Sequence, residues 1–126
     1  MPTGLSPNPV RGPNPNGELF ALSFAPNAGS NPLSASNIGA GFSVTWVSAG
    51  KWLVTVNAVF GKTPVIIAFL QTNALATGAA DLQIVGAITM TSGTTTFNLV
   101  YRDAAVATNL AANANTRIHV MLFGAT

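Results

Sequence analysis

The chain has 126 residues, of which 48% are hydrophobic and only 6% are charged, against about 25% charged residues in an average soluble domain. Its five Lys and Arg residues exceed its three acids by two and form no run, which excludes the basic stripe of a nucleic-acid-binding protein. The absence of cysteine excludes disulfides and thiolate metal sites, and the single histidine excludes a two-histidine metal centre.

Residues 1–17 have a composition of their own, in which prolines alternate with Asn and Gly. Proline at this density prevents a helix or a central strand and favours an extended course. Two interpretations are open: a disordered leader, or an arm that becomes ordered on a neighbouring subunit. The segment lacks the basic and apolar regions of a secretory signal, and no apolar run approaches the length of a membrane helix. We therefore expect a cytoplasmically made protein without a membrane partner.

Residues 18–126 are predicted to form one all-β domain, because apolar and polar residues alternate with period two. The predicted strands are Leu19 to Phe24, Phe42 to Trp46, Trp52 to Val56, Val65 to Gln71, Leu82 to Met90, Thr95 to Tyr101 and Thr116 to Phe123. The second and third form the clearest hairpin, with a tight turn at residues 48–50. Strands at this spacing favour an antiparallel β-sandwich, jelly-roll-like, or a small barrel.

The segment from Asp103 to Asn113 is the one helical candidate, because it is rich in alanine. Its apolar residues make at most a weak stripe, which is not enough to hold a helix against a core. We expect a long loop there, with no more than a single helical turn.

Two strands depart from the alternation and are apolar on both faces. From Val65 to Leu70 every residue is apolar. In the last strand, Ile118, Val120 and Leu122 make one apolar face, whereas Met121 and Phe123 join Arg117 and His119 on the other. A strand that is apolar on both sides is covered on both sides, by the chain's own loops or by another subunit. The candidate interface residues are Val65, Ile67, Phe69, Arg117, His119, Met121 and Phe123.

The sequence contains no complete catalytic motif. The sequence Gly61-Lys62-Thr63 imitates the end of a phosphate-binding loop but lacks its first glycine and is followed by Pro64. No serine lies in a nucleophile-elbow motif that would pair with His119, and the three acids are dispersed without a surrounding motif. The composition therefore predicts a protein that is not an enzyme and holds no cofactor or metal.

Trp46 and Trp52 lie in the predicted hairpin and leave two functions open. Exposed, they would stack on sugar rings, as in a carbohydrate-binding module or a phage fibre tip. Buried, they belong to the core of the sandwich. Their alternation with Ser43, Thr45 and Thr55 favours the core.

A succession of segments resembles the small β-sandwich decoration (cement) proteins of tailed-bacteriophage capsids and related head-fibre modules. The segments are the hairpin 42–56, Ala80-Asp81-Leu82-Gln83, residues 97–103 from Phe97 to Asp103, an Ala/Asn loop, and the last strand from Thr116 to Phe123. The resemblance covers roughly residues 40–124, and its motifs are common among Ala/Gly/Thr-rich phage structural proteins.

The resemblance implies a homotrimer at threefold positions of the capsid lattice, where it binds the major capsid protein on the outer surface of the virion. The expected function is mechanical stabilisation of the shell, with no nucleic acid bound. The alternative is a receptor- or glycan-binding module of a head or tail fibre, which an exposed tryptophan would favour. The Pro/Asn-rich leader is not part of the matching region.

Overall fold

The computed structural model describes residues 17–73, 80–112 and 115–125. The regular elements of these residues are the strands β1 (Gly17–Phe24), β2 (Phe42–Ser48), β3 (Lys51–Val56), β4 (Val65–Gln71), β5 (Ala80–Thr91), β6 (Thr94–Asp103), β7 (Val106–Ala107) and β8 (Arg117–Ala125), and a 3-10 turn at Ser34–Ser36. Of the predicted arm, only Gly17 is among the described residues, and it begins β1. The seven predicted strands are all present, with ends that differ by a few residues.

Two antiparallel sheets pack face to face. Sheet I has the strand order β1-β8-β4, and sheet II has the order β2-β3-β6-β5 with β7 beside the end of β6. The pairs β2–β3 and β5–β6 are hairpins within sheet II, whereas β1 pairs along its whole length with β8. The predicted antiparallel β-sandwich is confirmed, and its hairpins make a simpler connectivity than the two Greek keys of a full jelly roll.

The core lies between the sheets and is built from the inward faces of their strands other than the short β7, together with Phe60 from the connection before β4. The buried residues are Leu22, Phe24, Val44, Trp52, Val54, Val56, Phe60, Phe97, Leu99, Tyr101, Ile118, Val120 and Leu122. At its centre the rings of Phe24 and Trp52 meet edge to face, with centroids 6.0 Å apart. Removing this apolar surface from water, at about 25 cal/mol per Å², is the main force that holds the two sheets together.

The two hairpin turns depend on residues with positive φ. In the β2–β3 turn, Gly50 has φ +66°. In the β5–β6 turn, Ser92 and Gly93 have φ +52° and +81°, and two consecutive positive values match the type I′ turn that follows the right-handed twist of a hairpin. The hairpin predicted around residues 48–50 is confirmed.

The alanine-rich segment after β6 contains no helix in its described part, residues 103–112. Ala104 and Ala105 form a turn with φ +54° and +65°, and the two residues of β7 then pair with the end of β6. The predicted loop is confirmed there, with a short strand added. Nor do the described residues include any helix of the length and hydrophobicity that a membrane span requires.

Candidate docking face

One face of sheet I points away from the core and carries all seven candidate interface residues. The register of β8 with β1 and β4 arranges this face in rows. Taken in the order β1, β8, β4, the rows are Leu19, Phe123 and Val65; Ala21, Met121 and Ile67; Ser23, His119 and Phe69; the last row, on β8 and β4 alone, is Arg117 and Gln71. We call this surface the outer face of sheet I. Its residues lie together; their role as an interface stays a prediction.

The apolar part of the outer face is open to solvent. Val65 is 63% exposed, Ile67 45% and Phe69 48%. Single exposed apolar residues are common on protein surfaces, but contiguous groups mark sites of interaction. No loop among the described residues covers these three side chains, so that part of the chain does not supply the outer cover that a strand apolar on both faces requires.

Four members of the outer face were missed by the sequence analysis, and two of them, Leu19 and Ala21, are apolar. Leu19 and Ala21 lie on β1 and extend the apolar surface across the third strand, with Leu19 opposite Phe123 and Ala21 opposite Met121. The alternation of β1 indicates that these residues share a face. It does not say which strand lies beside them, and that information comes only from the pairing of the first strand with the last.

The polar end of the outer face is centred on His119. Its ring stacks on Phe69, with centroids 4.9 Å apart and planes 20° from parallel. The Nε2 atom lies 2.7 Å from Oε1 of Gln71, and because an amide oxygen only accepts, Nε2 carries the proton of this hydrogen bond. Burial, and secondarily the nearby Arg117 cation, lower the pKa of His119 below its usual value.

The lowered pKa predicts that acid destabilises the fold through His119. In the unfolded chain the imidazole takes up a proton at higher pH than in the folded protein, so the unfolded state binds more protons in this range. The stabilisation that His119 gives the folded state is fully present above the pKa of an unfolded histidine, about 6.5. It is lost as the pH falls through the lower pKa of His119 in the folded state. Urea unfolding at pH 7.5 and pH 5 should show a larger loss of stability for the wild type than for His119→Gln. Equal losses in the two proteins would contradict this assignment.

The side chain of Arg117 hydrogen-bonds to other residues of the chain and is not free to contact a partner. Its Nε donates to Oγ of Ser23, at 2.8 Å, and a terminal guanidinium nitrogen donates to the backbone oxygen of Ser36. These bonds fasten the 3-10 turn to the edge of sheet I, so Arg117 positions a loop beside the outer face. The sequence analysis placed Arg117 among the interface residues because it alternates with the apolar residues of β8. That alternation could not predict its hydrogen bond to Ser36.

The outward side of sheet II has a different chemistry. One row that crosses four strands consists of hydroxyl residues, Ser43, Thr55, Thr96 and Thr89. At another point Arg102 donates to Oε1 of Gln83 at 2.6 Å. Hydroxyls and amides that face water keep their hydrogen bonds to solvent, and such a face needs no cover. This row is therefore polar, whereas Val65, Ile67 and Phe69 on the outer face of sheet I are apolar and exposed; a neighbouring row on the outward side of sheet II also includes the apolar Leu53 and Val85.

The ionisable groups of the described residues are spread over both sheets. Asp81 and Asp103 lie on sheet II, whereas His119 lies on the outward side of sheet I. No three His, Cys, Asp or Glu side chains in the described part of the chain lie close enough together to hold a metal ion. Lys62 is exposed in the connection before β4, and because a strand follows it, the geometry of a phosphate-binding loop is not formed.

The two tryptophans face the core side of sheet II. Trp52 is completely buried, as its alternation predicted. Trp46 lies opposite it in the hairpin and is half-buried, and its Nε1 donates to Oδ1 of Asn109 at 2.9 Å. Neither ring stands free at the surface in the manner of a sugar-stacking platform.

No protein-family model, curated protein or solved structure matches this chain.

Proposed function

We propose that this protein is a non-enzymatic decoration (cement) protein of a tailed-bacteriophage capsid, which docks on the shell through the outer face of sheet I. The observation that carries the proposal is the contrast between the two sides of the sandwich. One side exposes Val65, Ile67 and Phe69, and the other presents a row of hydroxyl residues. A protein that works by contact alone needs one such apolar surface and no catalytic groups.

The composition of the outer face favours docking at low electrostatic cost. Arg117 is the one charged residue in the four rows of the outer face, and its guanidinium is already hydrogen-bonded to Ser23 and Ser36. Burying apolar side chains is favourable by about 25 cal/mol per Å², whereas burying unpaired charges is costly. The face is therefore suited to a permanent contact with a neutral, partly apolar partner surface.

The partner in this proposal is the major capsid protein, on the outside of the virion. The resemblance noted above implies that the protein, made in the host cytoplasm, acts as a homotrimer. Linking several weak footprints raises the overall affinity without any new contact, because the second and third footprints bind at high effective concentration. A lattice that repeats the same surface many times is the kind of target on which this gain is largest.

Oxidation of methionine by hydroxyl radicals tests the proposal on undecorated shells of the parent phage. Met121 lies in the middle row of the outer face, and Met90 packs against the core from sheet II as an internal reference. We expect the oxidation rate of Met121 to fall when the protein co-sediments with shells, while that of Met90 stays constant. Because the contacts are mostly uncharged, co-sedimentation should change little between low and high salt.

Two outcomes would contradict the proposal. Oxidation of Met121 at the same rate in free and shell-bound protein would place the contact on another surface. Binding that disappears steeply with salt would indicate a charge-driven attachment, which the apolar character of the outer face does not supply.

A further inference from the structure

His119 lies within a row of the outer face that continues beyond the edge of sheet I. Ser23 and Ile38 exchange backbone hydrogen bonds of 3.0 and 2.8 Å, and residues paired in this antiparallel way have their side chains on the same side. The third row therefore runs from Ile38 through Ser23 and His119 to Phe69. Ile38 is 60% exposed and Phe69 48%, whereas Ser23 is buried. A partner that contacts both apolar ends of this row covers His119 as well.

The ring of His119 offers one unused hydrogen-bond acceptor. Its Nε2 donates to Oε1 of Gln71, so in the neutral ring Nδ1 carries the lone pair. Nδ1 has no hydrogen-bond partner among the described residues, and it is not one of the buried side-chain atoms that lack a partner, so it is accessible to solvent. The stacking on Phe69 and the bond to Gln71 hold the ring, and with it Nδ1, in one orientation.

The one charge beside this ring, among the described residues, is the Arg117 cation on the same side of β8. Asp81 lines a cleft with residues 68–70 of β4, but it belongs to β5 of sheet II and lies opposite Arg102. The 3-10 turn carries no charge. The residues that β1 and β4 place in the two rows around His119 are all uncharged: Ser23, Phe69 and Gln71.

Protonation of His119 would change the outer face in two ways. Nδ1 would become a hydrogen-bond donor, and His119 and Arg117 would then be two neighbouring cations without an acid in their rows. Both changes oppose burial against an apolar partner, because a buried charge without a counter-charge is costly. Burial and the Arg117 cation lower the pKa of His119, which keeps the ring neutral at pH 7.

We propose that neutral His119 contacts the major capsid protein directly: its Nδ1 accepts a hydrogen bond from an N–H or O–H group of the shell, and a proton on Nδ1 releases the protein. The inference rests on the proposed function and adds to it the chemistry of one contact and the dependence of docking on pH. The donor that fits is a backbone N–H or an uncharged side chain, because a Lys or Arg of the shell would bring a further cation beside Arg117.

Co-sedimentation of the wild type with undecorated shells from pH 7.5 to pH 4.5 tests this inference. Because the bound state excludes the proton, the affinity should be constant above the pKa of His119 in the free protein. Below that pKa it should fall about tenfold for each pH unit. The chain has a single histidine, so one imidazole NMR signal measures this pKa and shows that the free protein is folded at each pH.

Two substitutions separate the acceptor from the ring. Glutamine has an oxygen that accepts and no group that titrates, so His119→Gln should show only the pH dependence of the shell itself. Phenylalanine keeps a ring that stacks on Phe69 but cannot accept a hydrogen bond. At pH 7.5, His119→Phe should therefore bind about tenfold more weakly than His119→Gln, because the donor of the shell loses its partner.

Two results would overturn the inference and leave docking through the outer face intact. They are a wild-type pH profile that matches that of His119→Gln, and equal binding of His119→Phe and His119→Gln at pH 7.5. Failure of the folded wild type to bind shells at pH 7.5 would instead contradict the proposed function on which the inference rests.

Light scattering of the free protein over the same pH range tests a second copy of the chain as the partner of His119. We expect the number of chains in the free protein to stay constant through the pKa of His119. Dissociation of an oligomer at that pKa, without a change in shell binding, would place the ring in a contact between copies and overturn the inference.

Discussion

Replacing Gly50 with alanine is expected to destabilise the sandwich by at least about 3 kcal/mol. Gly50 has φ +66°, and an added Cβ would lie 2.6 Å from the backbone N and O of Thr108 and 2.7 Å from the backbone O of Tyr101. The Thr108 nitrogen and the Tyr101 oxygen are held by a hydrogen bond to each other, and the N–H of Tyr101 donates to the oxygen of Gly50. The turn must therefore move away from β6, and the midpoint of urea unfolding measures the loss.

Gly93→Ala is the matched control for this prediction. Gly93 also lies in a hairpin turn and has φ +81°, but an added Cβ would meet nothing within 4 Å. The Gly93→Ala variant should lose only about 1–2 kcal/mol of its free energy of unfolding, which is the cost of placing alanine in a left-handed conformation. If both substitutions lower the free energy of unfolding equally, the loss comes from the left-handed backbone conformation alone. The close approach of Gly50 to β6 would then not contribute to stability.

The strands could be predicted because their evidence is local. Period-two alternation from Phe42 to Val56 is sufficient to place two strands, the turn between them and the inward side of each. The same logic identified β4 and β8 as apolar on both sides. A shared apolar surface follows from these two patterns as soon as the two strands lie side by side in one sheet, and for that reason the candidate interface residues lie together on the outer face of sheet I. That this surface is exposed in the single chain could not be predicted, because the patterns do not show what covers it.

The features that could not be predicted depend on contacts between distant residues. The pairing of β1 with β8 joins the two ends of the described chain, and no pattern within β1 indicates it. The hydrogen bonds of Arg117 with Ser23 and Ser36 and the contact of Asn31 with Trp46 are likewise non-local. Alternation shows which residues share a side of a strand, but it does not show which edge another segment of the chain will block.

Replacing Met121 with aspartate should have the largest effect on docking. Met121 lies on the central strand of sheet I, in the row of Ala21 and Ile67. An unpaired carboxylate enclosed in an apolar contact costs several kcal/mol, and about 3 kcal/mol corresponds to a loss of binding of more than 100-fold. The fold should persist, because the side chain points away from the core.

The matched substitution is Thr96→Asp, on the central strand β6 and in the hydroxyl row of the opposite side. It places the same residue, a charged aspartate with low strand propensity, on the solvent-facing side of sheet II, so the two variants should have similar urea midpoints of unfolding. Co-sedimentation of the two variants with undecorated shells then compares the two sides of the sandwich directly. The proposed docking through the outer face of sheet I predicts that Met121→Asp fails to bind whereas Thr96→Asp binds like the wild type. Binding by Met121→Asp at the wild-type level, or loss of binding only in Thr96→Asp, would contradict it.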